Sequence, residues 1–389
     1  MKALFLTHSY PRHPGDAAGN FVLRLAVALR DQGVDVRVVA PHAERLSAHE
    51  DIEGIAVERF RYAPKSLETL AYTGNMASQV RDSWSAKMTL VGFLGAEFSC
   101  AVKLRREWKP DVVHAHWWFP NGLVGTWLHR MANVPLVTTL HGTDVRLARS
   151  IHVSRPAFRH VLKHSAVTTA VSRWLASEAT DIVSSAAPLV APMPVATDLF
   201  SPGGAREKGK LLFVGRLMEQ KGLDLLLEAL ALLPKSVTLD VIGDGEQSGA
   251  LHAIATKLGV ADRVKWLGAL PQSALAAHYR SAAALVVPSQ AEGLGLVAVE
   301  AALCATPTVA FASGGGIGDV VHDGRTGALA MERTGESLAA AIRTVIDRED
   351  GGAALGEAGR LHALGTFAPE AVARRYADIY RTAIGGAPR

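Results

Sequence analysis

Residues 284–310 read ALVVPSQAEGLGLVAVEAALCATPTVA. The run 284–287 is short and wholly apolar, the pattern of a strand buried on both faces. Pro288, Gly293 and Gly295 make 288–295 a loop. Residues 296–304 return to helix formers with an apolar face, and Pro307 stops that helix before a second strand at 309–311. The result is a β-loop-α-β unit whose loop feeds a helix N-terminus. The first N–H groups of a helix have no partner inside it, and the macrodipole adds positive potential there, so the turn suits an anion. Gly293 and Gly295 would let a phosphate approach the backbone. Glu292 and Glu300 flank the same turn and would repel a phosphate, unless they accept hydrogen bonds from neutral hydroxyls. A sugar nucleotide carries both parts, a diphosphate for the amides and sugar hydroxyls for the carboxylates. The plainer alternative is a Glu that favours the helix dipole and a second Glu on a solvated helix face.

The rest of the chain sets the bounds. Its 389 residues are enough for two domains, and 49% hydrophobic with 20% charged residues is ordinary for an α/β protein. A net charge of +4 favours anionic ligands or an anionic membrane surface, and no Lys/Arg run points to nucleic acid. Two cysteines, Cys100 and Cys304, both in apolar stretches, fit a reducing compartment without disulfides. The N-terminus starts as a strand and lacks a signal-peptide core, and no run of 18 apolar residues exists, so a cytoplasmic protein is expected.

Strands are expected at 2–7, 35–40, 111–116, 136–140, 167–171 and 189–198 in a first half, and at 211–214, 237–242, 264–267, 284–287 and 309–311 in a second. Residues 201–209, SPGGAREKG, read as a linker between them. The first strand-to-helix loop lacks Gly-x-Gly-x-x-Gly, which argues against a nicotinamide cofactor. Residues 76–108 form a long helical region with Lys87, Lys103, Arg105 and Arg106 interspersed, either a core-facing helix with solvated cations or a membrane-surface face. The second half opens with Gly215-Arg216-Leu217-x-x-x-Lys221-Gly222 on a strand-to-helix loop. A forked guanidinium and an ammonium five residues apart can grip a diphosphate from two directions and stabilise the charge that grows on it as a leaving group.

The spacing Glu292-x7-Glu300, with Gly293 and Gly295 inside it, and the Gly-Arg-Leu-x3-Lys-Gly string together resemble glycosyltransferase family 4, retaining enzymes of the GT-B fold. The resemblance covers nearly the whole chain. It implies an α/β protein of two Rossmann-like domains facing across a cleft, with a C-terminal helix crossing back to the first domain. The boundaries that follow are 1–200 plus 369–385 for an acceptor-binding domain and 201–368 for a donor-binding domain. By this resemblance Arg216 and Lys221 bind the β-phosphate, Glu300 the ribose hydroxyls, and Glu292 a hydroxyl of the transferred sugar. The amides of Gly293, Leu294, Gly295 and Leu296 complete the phosphate cradle, with Gly215 on the facing loop. The Gly243-Asp244-Gly245 turn lies beside the nucleotide, and the base lies near Lys265, Trp266 and Leu267. Gly19 stands for the family's paired glycines, of which the first is Ala18 here, and His141 matches the histidine placed beside the sugar. His116, Trp117, Asp144 and Arg173 are the acceptor-side candidates. Residues 191–200 depart from the family's Pro-Asn-Gly-Val-Asp-x-x-x-Phe by lacking its glycine.

The expected activity is transfer of a hexosyl group from a UDP- or GDP-sugar to a hydroxyl acceptor, in glycan, lipid or secondary-metabolite glycosylation. No metal or other cofactor is expected, since the two cations supply the charge. A glycan, lipid-linked or aromatic acceptor and a peripheral contact with the inner membrane face are the partner classes. Two other functions remain open at this point: a non-hydrolysing sugar-nucleotide epimerase and a non-catalytic sugar-nucleotide sensor. A zinc site made by His114, His116 and His141 is a further alternative.

Overall fold

The computed structural model describes residues 1–13, 16, 18–72 and 76–386. The chain divides into two compact units, Met1–Pro194 with Pro369–Arg389, and Val195–Ala368. The division falls before the expected linker. Residues 201–209 belong to the second unit, tied there by Glu207 N–H to the Ser281 carbonyl and by Arg280 Nε to the Ser201 carbonyl at 2.7 Å.

The first unit is built on eight strands: β1 (Lys2–Leu6), β2 (Asp35–Pro41), β3 (His49–Ile52), β4 (Ile55–Phe60), β5 (Val112–His116), β6 (Leu136–Leu140), β7 (Val167–Ala170) and β8 (Leu189–Val190). Their order across the sheet is β3-β4-β2-β1-β5-β6-β7-β8, and only the β3–β4 pair is antiparallel. That pair is a hairpin closed by Glu53 and Gly54, both at positive φ, the backbone a two-residue primed turn requires. The central strands are buried along their whole length, as helices on both faces of a parallel sheet demand. The strand expected at 189–198 is only two residues long, because Pro192 and Pro194 remove donors from the ladder. The long helical region is two helices, Met76–Asp82 and Trp84–Trp108, broken at Ser83, whose side chain caps the second by accepting from Ala86 N–H.

The second unit carries β9 (Lys210–Val214), β10 (Thr238–Ile242), β11 (Val264–Trp266), β12 (Ala284–Val287), β13 (Thr308–Phe311) and β14 (Gly327–Ala330). The order β11-β10-β9-β12-β13-β14 is parallel throughout. In each sheet the strand order reverses beside the first strand, β1 against β5 and β9 against β12. Crevices at such a reversal, outside the carboxyl ends of the strands, are where open α/β sheets bind ligands. The C-terminal helix Pro369–Gly385 belongs to the first unit, where it packs on the helix Asn20–Asp31 and on β5, β6 and β7. Its Tyr376 hydroxyl donates to the Ala191 carbonyl at 3.0 Å, and its Tyr380 hydroxyl lies 2.7 Å from His114 Nδ1.

Candidate active site

In the second unit the β12 unit forms as read: strand, loop, then the helix Leu296–Leu303. Gly295 begins that helix at φ 85°, and the amides of Gly293, Leu294, Gly295 and Leu296 donate to no protein acceptor among the described residues. The loop after β9 lies against this turn. Lys221 ends a short 3-10 turn, Glu219–Lys221, and its Nζ meets Glu292 Oε1 at 2.6 Å. Ser289 Oγ donates to the same carboxylate oxygen at 2.6 Å. The two loops are joined by Gln290 N–H to the Gln220 carbonyl and by Gln220 Nε2 to the Ala291 carbonyl at 2.8 Å. Arg216 is exposed, and its side chain makes no hydrogen bond or ion pair among the described residues. The turn thus carries four undonated amides next to a paired Lys221–Glu292, and the loop that holds Lys221 also carries the exposed Arg216.

Glu300 is not on a solvated face. It is 6% exposed, its Oε1 accepts from Gln272 Nε2 and its Oε2 from the Tyr279 hydroxyl, both at 2.8 Å. Burial raises its pKa, and the two hydrogen bonds pull in the opposite direction. Gly215 and the Gly243 turn pack backbone to backbone: Gly215 N–H donates to the Ile242 carbonyl, and a Cβ on Gly243, at φ 140°, would overlap the Gly215 carbonyl. Gly245 follows on the same turn, where Asp244 Oδ1 accepts its N–H at 2.7 Å. At the end of β11, Lys265 is exposed, and Trp266 stacks on His252 with ring centres 4.1 Å apart. Leu267 is half-buried beside it, its N–H donating to the Val241 carbonyl.

In the first unit the residues after β5 and β6 come together. His116 Nδ1 lies 3.1 Å from His141 Nε2, and Trp117 packs on the His141 ring at 4.4 Å between centres. Burial is the main cause that holds the pKa of His8, His114, His116 and His141 down, His8 to about 4, so all four imidazoles are neutral at pH 7. Both nitrogens of His114 are engaged, by Tyr380 and by Thr139 Oγ1 at 2.7 Å, and among the described residues no group of three His, Cys, Asp or Glu could hold a metal ion. Gly19 starts the helix Asn20–Asp31 at φ 68°, where a Cβ would overlap the Ser9 carbonyl.

Three of the four acceptor-side candidates are buried. His116 is fully buried, with its Nε2 left without a hydrogen-bond partner among the described residues, and Trp117 is nearly so. Asp144 is buried as well and organises its loops: its carboxylate accepts the N–H groups of Trp118, His141, Gly142 and Val145. The reason for the burial is topological: β5 and β6 are central strands of the sheet. Arg173 stays exposed, one residue after the Ser172 helix cap. Sequence reasoning missed a cavity of about 790 Å³ at the ends of β2 and β4, lined by Arg12, His42, Lys65, Glu68, Thr69 and Tyr72 among others. Each charge there already has a partner. Arg12 pairs with Asp16, Glu68 with Arg61 and His42, and Lys65 with Glu44. The readable signal was only that these loops follow strand C-termini.

The chain matches two family models, "Glycosyl transferase 4-like domain" over residues 17–194 and "Glycosyl transferases group 1" over residues 196–362. It is 30% identical to the glycogen synthase of Mycobacterium tuberculosis, over 99% of this chain and 96% of that one. The chain belongs to the family 4 glycosyltransferases. The glycosyltransferase also shares its fold with solved GT-B structures. Sucrose-phosphate synthase from Thermosynechococcus elongatus superposes with a TM-score of 0.81 at 22% identity, covering 99% of each chain. HepE from Anabaena, solved in complex with UDP-glucose, gives 0.71 at 22% identity, over 98% of this glycosyltransferase and all of HepE.

Proposed function

We propose that this glycosyltransferase moves a hexosyl group from a nucleoside diphosphate sugar to a hydroxyl acceptor with retention of anomeric configuration. The observation that carries the reading is the Lys221–Glu292 pair beside the undonated amides of residues 293–296, with the exposed Arg216 on the same loop as Lys221. A diphosphate would take the amides, the free Arg216 guanidinium and Lys221. Lys221 then exchanges its bond to Glu292 for one to the β-phosphate, and Glu292 becomes available to a sugar hydroxyl. The swap places cationic charge where negative charge grows as the anomeric bond breaks. Glu300, held by Tyr279 and Gln272, is assigned to the ribose hydroxyls, and neutral His141 to a hydroxyl of the sugar. Trp266 and the exposed Lys265 flank the base. A UDP-sugar is the favoured donor, supported by the UDP-glucose bound to HepE on the same fold. No metal is assigned a role, because Arg216 and Lys221 supply the charge.

For the acceptor, the cavity at Arg12, His42 and Tyr72 fits a neutral polyhydroxyl group, since its charges are internally paired and offer donors and acceptors rather than net charge. A glycan or glycan-bearing lipid fits this better than an aromatic acceptor, because the Trp117-Trp118 loop is turned inward. The deciding experiment is NMR of the product formed from a UDP-sugar and candidate acceptors, with excess chelator present. A retained anomer is expected at an unchanged rate. An inverted anomer, or loss of activity to the chelator, sinks the mechanism, and conversion of the donor to its epimer without acceptor sinks the transferase assignment.

A further inference from the structure

The helix Trp84–Trp108 buries one stripe of residues, including Phe93, Ala101 and Leu104, spaced at three and four. Its opposite face, at the same spacing, is also apolar: Trp84, Met88, Val91, Gly95, Phe98 and Val102. Soluble helices keep that face polar. Here Trp84 is 74% exposed, Val91 64% and Met88 56%. The stripe does not end with this helix. Phe98 makes an edge-to-face contact with Trp127 of the neighbouring helix Leu123–Ala132, at 5.9 Å between ring centres. One turn further, Met131 is exposed as well. The apolar strip from Trp84 to Val102 runs for about 27 Å along the first helix, at about 1.5 Å per residue, and continues on the second.

Its flanks are cationic. Lys87, Lys103, Arg105 and Arg106 border the strip on the first helix and Arg130 on the second. The next helix in the layer, Arg155–His164, adds Arg159 and Lys163 on its exposed side. Neither of the latter two helices contains an acid. In the first, Glu97 is buried inside and Glu107 lies in the last turn. Arg130 and Lys163 are close enough to His160 that both lower its pKa, after burial and His164, so the cations of adjacent helices share one surface.

We propose that this three-helix face docks the protein on the surface of an anionic phospholipid bilayer, with Trp84, Met88 and Val91 in the headgroup layer and the flanking Lys and Arg on lipid phosphates. Indole and thioether side chains suit the headgroup boundary, and a strip of this kind with cations on both sides is the make-up of an interfacial helix. A second copy of the chain is the poorer occupant, because pairing the same patch on two copies sets cations against cations. No helix among the described residues is long and apolar enough to cross a membrane, so the contact is peripheral. The inference does not depend on the donor or acceptor assignment.

The test is co-sedimentation of the full chain with phosphatidylglycerol-rich vesicles and with pure phosphatidylcholine vesicles, beside a Trp84→Ser/Met88→Ser/Val91→Ser variant. The unaltered protein is expected to pellet with the anionic vesicles only, and to be released by high salt. The variant should bind about tenfold more weakly or worse, since each exposed side chain it loses would have entered the headgroup layer. Its melting temperature should match the parent's, because all three side chains point to solvent. Failure of the parent to bind anionic vesicles overturns the proposal, as does binding by the variant equal to the parent's. A concentration-dependent dimer that the variant abolishes, without vesicle binding, also overturns it and gives the face to a second copy.

Discussion

At the scale of the residue, the site is governed by a carboxylate shared between two groups. Glu292 Oε1 meets Lys221 Nζ and Ser289 Oγ, each at 2.6 Å, with the Lys221 side chain only 24% exposed. Removing Lys221 leaves Glu292 with Ser289 and removes one of the cations proposed to meet the diphosphate. Lys221→Ala is expected to lower kcat about 10²-fold or more, by comparison with losing one oxyanion donor, with a smaller change in KM. Steady-state kinetics with a UDP-sugar check this, and an unchanged kcat refutes the leaving-group role. Glu300 shows how far a residue's surroundings escape its sequence. Its spacing from Glu292 was readable, but its burial under Tyr279 and Gln272 was not, because those partners come from the helix Gln272–Ser281, which has no distinctive pattern.

At the scale of the element, the helix Trp84–Trp108 carries a second anomaly. Glu97 lies in its buried stripe with neither carboxylate oxygen hydrogen-bonded, and burial raises its pKa well above the ordinary 4.5. The folded state therefore holds this proton more tightly than the unfolded chain. Below about pH 4.5 both states are protonated and Glu97 makes no pH-dependent contribution. As pH rises above that value the unfolded state loses its proton first, and stability is lost until the folded pKa is reached. Glu97→Gln removes this loss. The melting temperature of the variant relative to the parent is expected to climb between pH 5 and pH 8, measured by thermal scans across that range. A difference that does not change with pH would mean that Glu97 is ionised or solvated in the fold. Apolar residues on both faces explain why this helix could be located in sequence while its inward face could not: either stripe satisfies the core.

At the scale of the whole molecule, the last helix decides the integrity of the first unit. Val372, Tyr376, Ile379 and Tyr380 are buried, and the two tyrosine hydroxyls bond to Ala191 and His114. Burying such side chains stabilises by roughly 1.5–3 kcal/mol each, before entropy is counted. Deleting the chain after Phe367 is thus expected to unfold or strongly destabilise residues of the N-terminal unit, although the deletion begins next to the second. Hydrogen exchange on the truncated protein checks this, with protection expected to fall in β5, β6 and β7. Full protection in those strands would refute the docking. Tyr380→Phe is the milder version, with an expected cost of about 1 kcal/mol from the lost hydroxyl partner of His114.

The amino-acid sequence by itself determined most parallel strands of the two sheets, though not β14, with the loops at their ends and the glycines those loops need, because period, proline and glycine act locally. It also determined the helical pattern of the last element, at Val372, Tyr376, Ile379 and Tyr380. The hairpin β3–β4 was missed although its Glu-Gly turn is local, since its strands are short and polar on one side. Only the tertiary structure decided what the loop residues face. It turned His116 and Asp144 inward, paired Lys221 with Glu292 across 71 residues, and opened a cavity at Arg12 and Tyr72. Those outcomes depend on partners brought together by strand order, and a hydrogen bond between distant loops leaves no period in the chain.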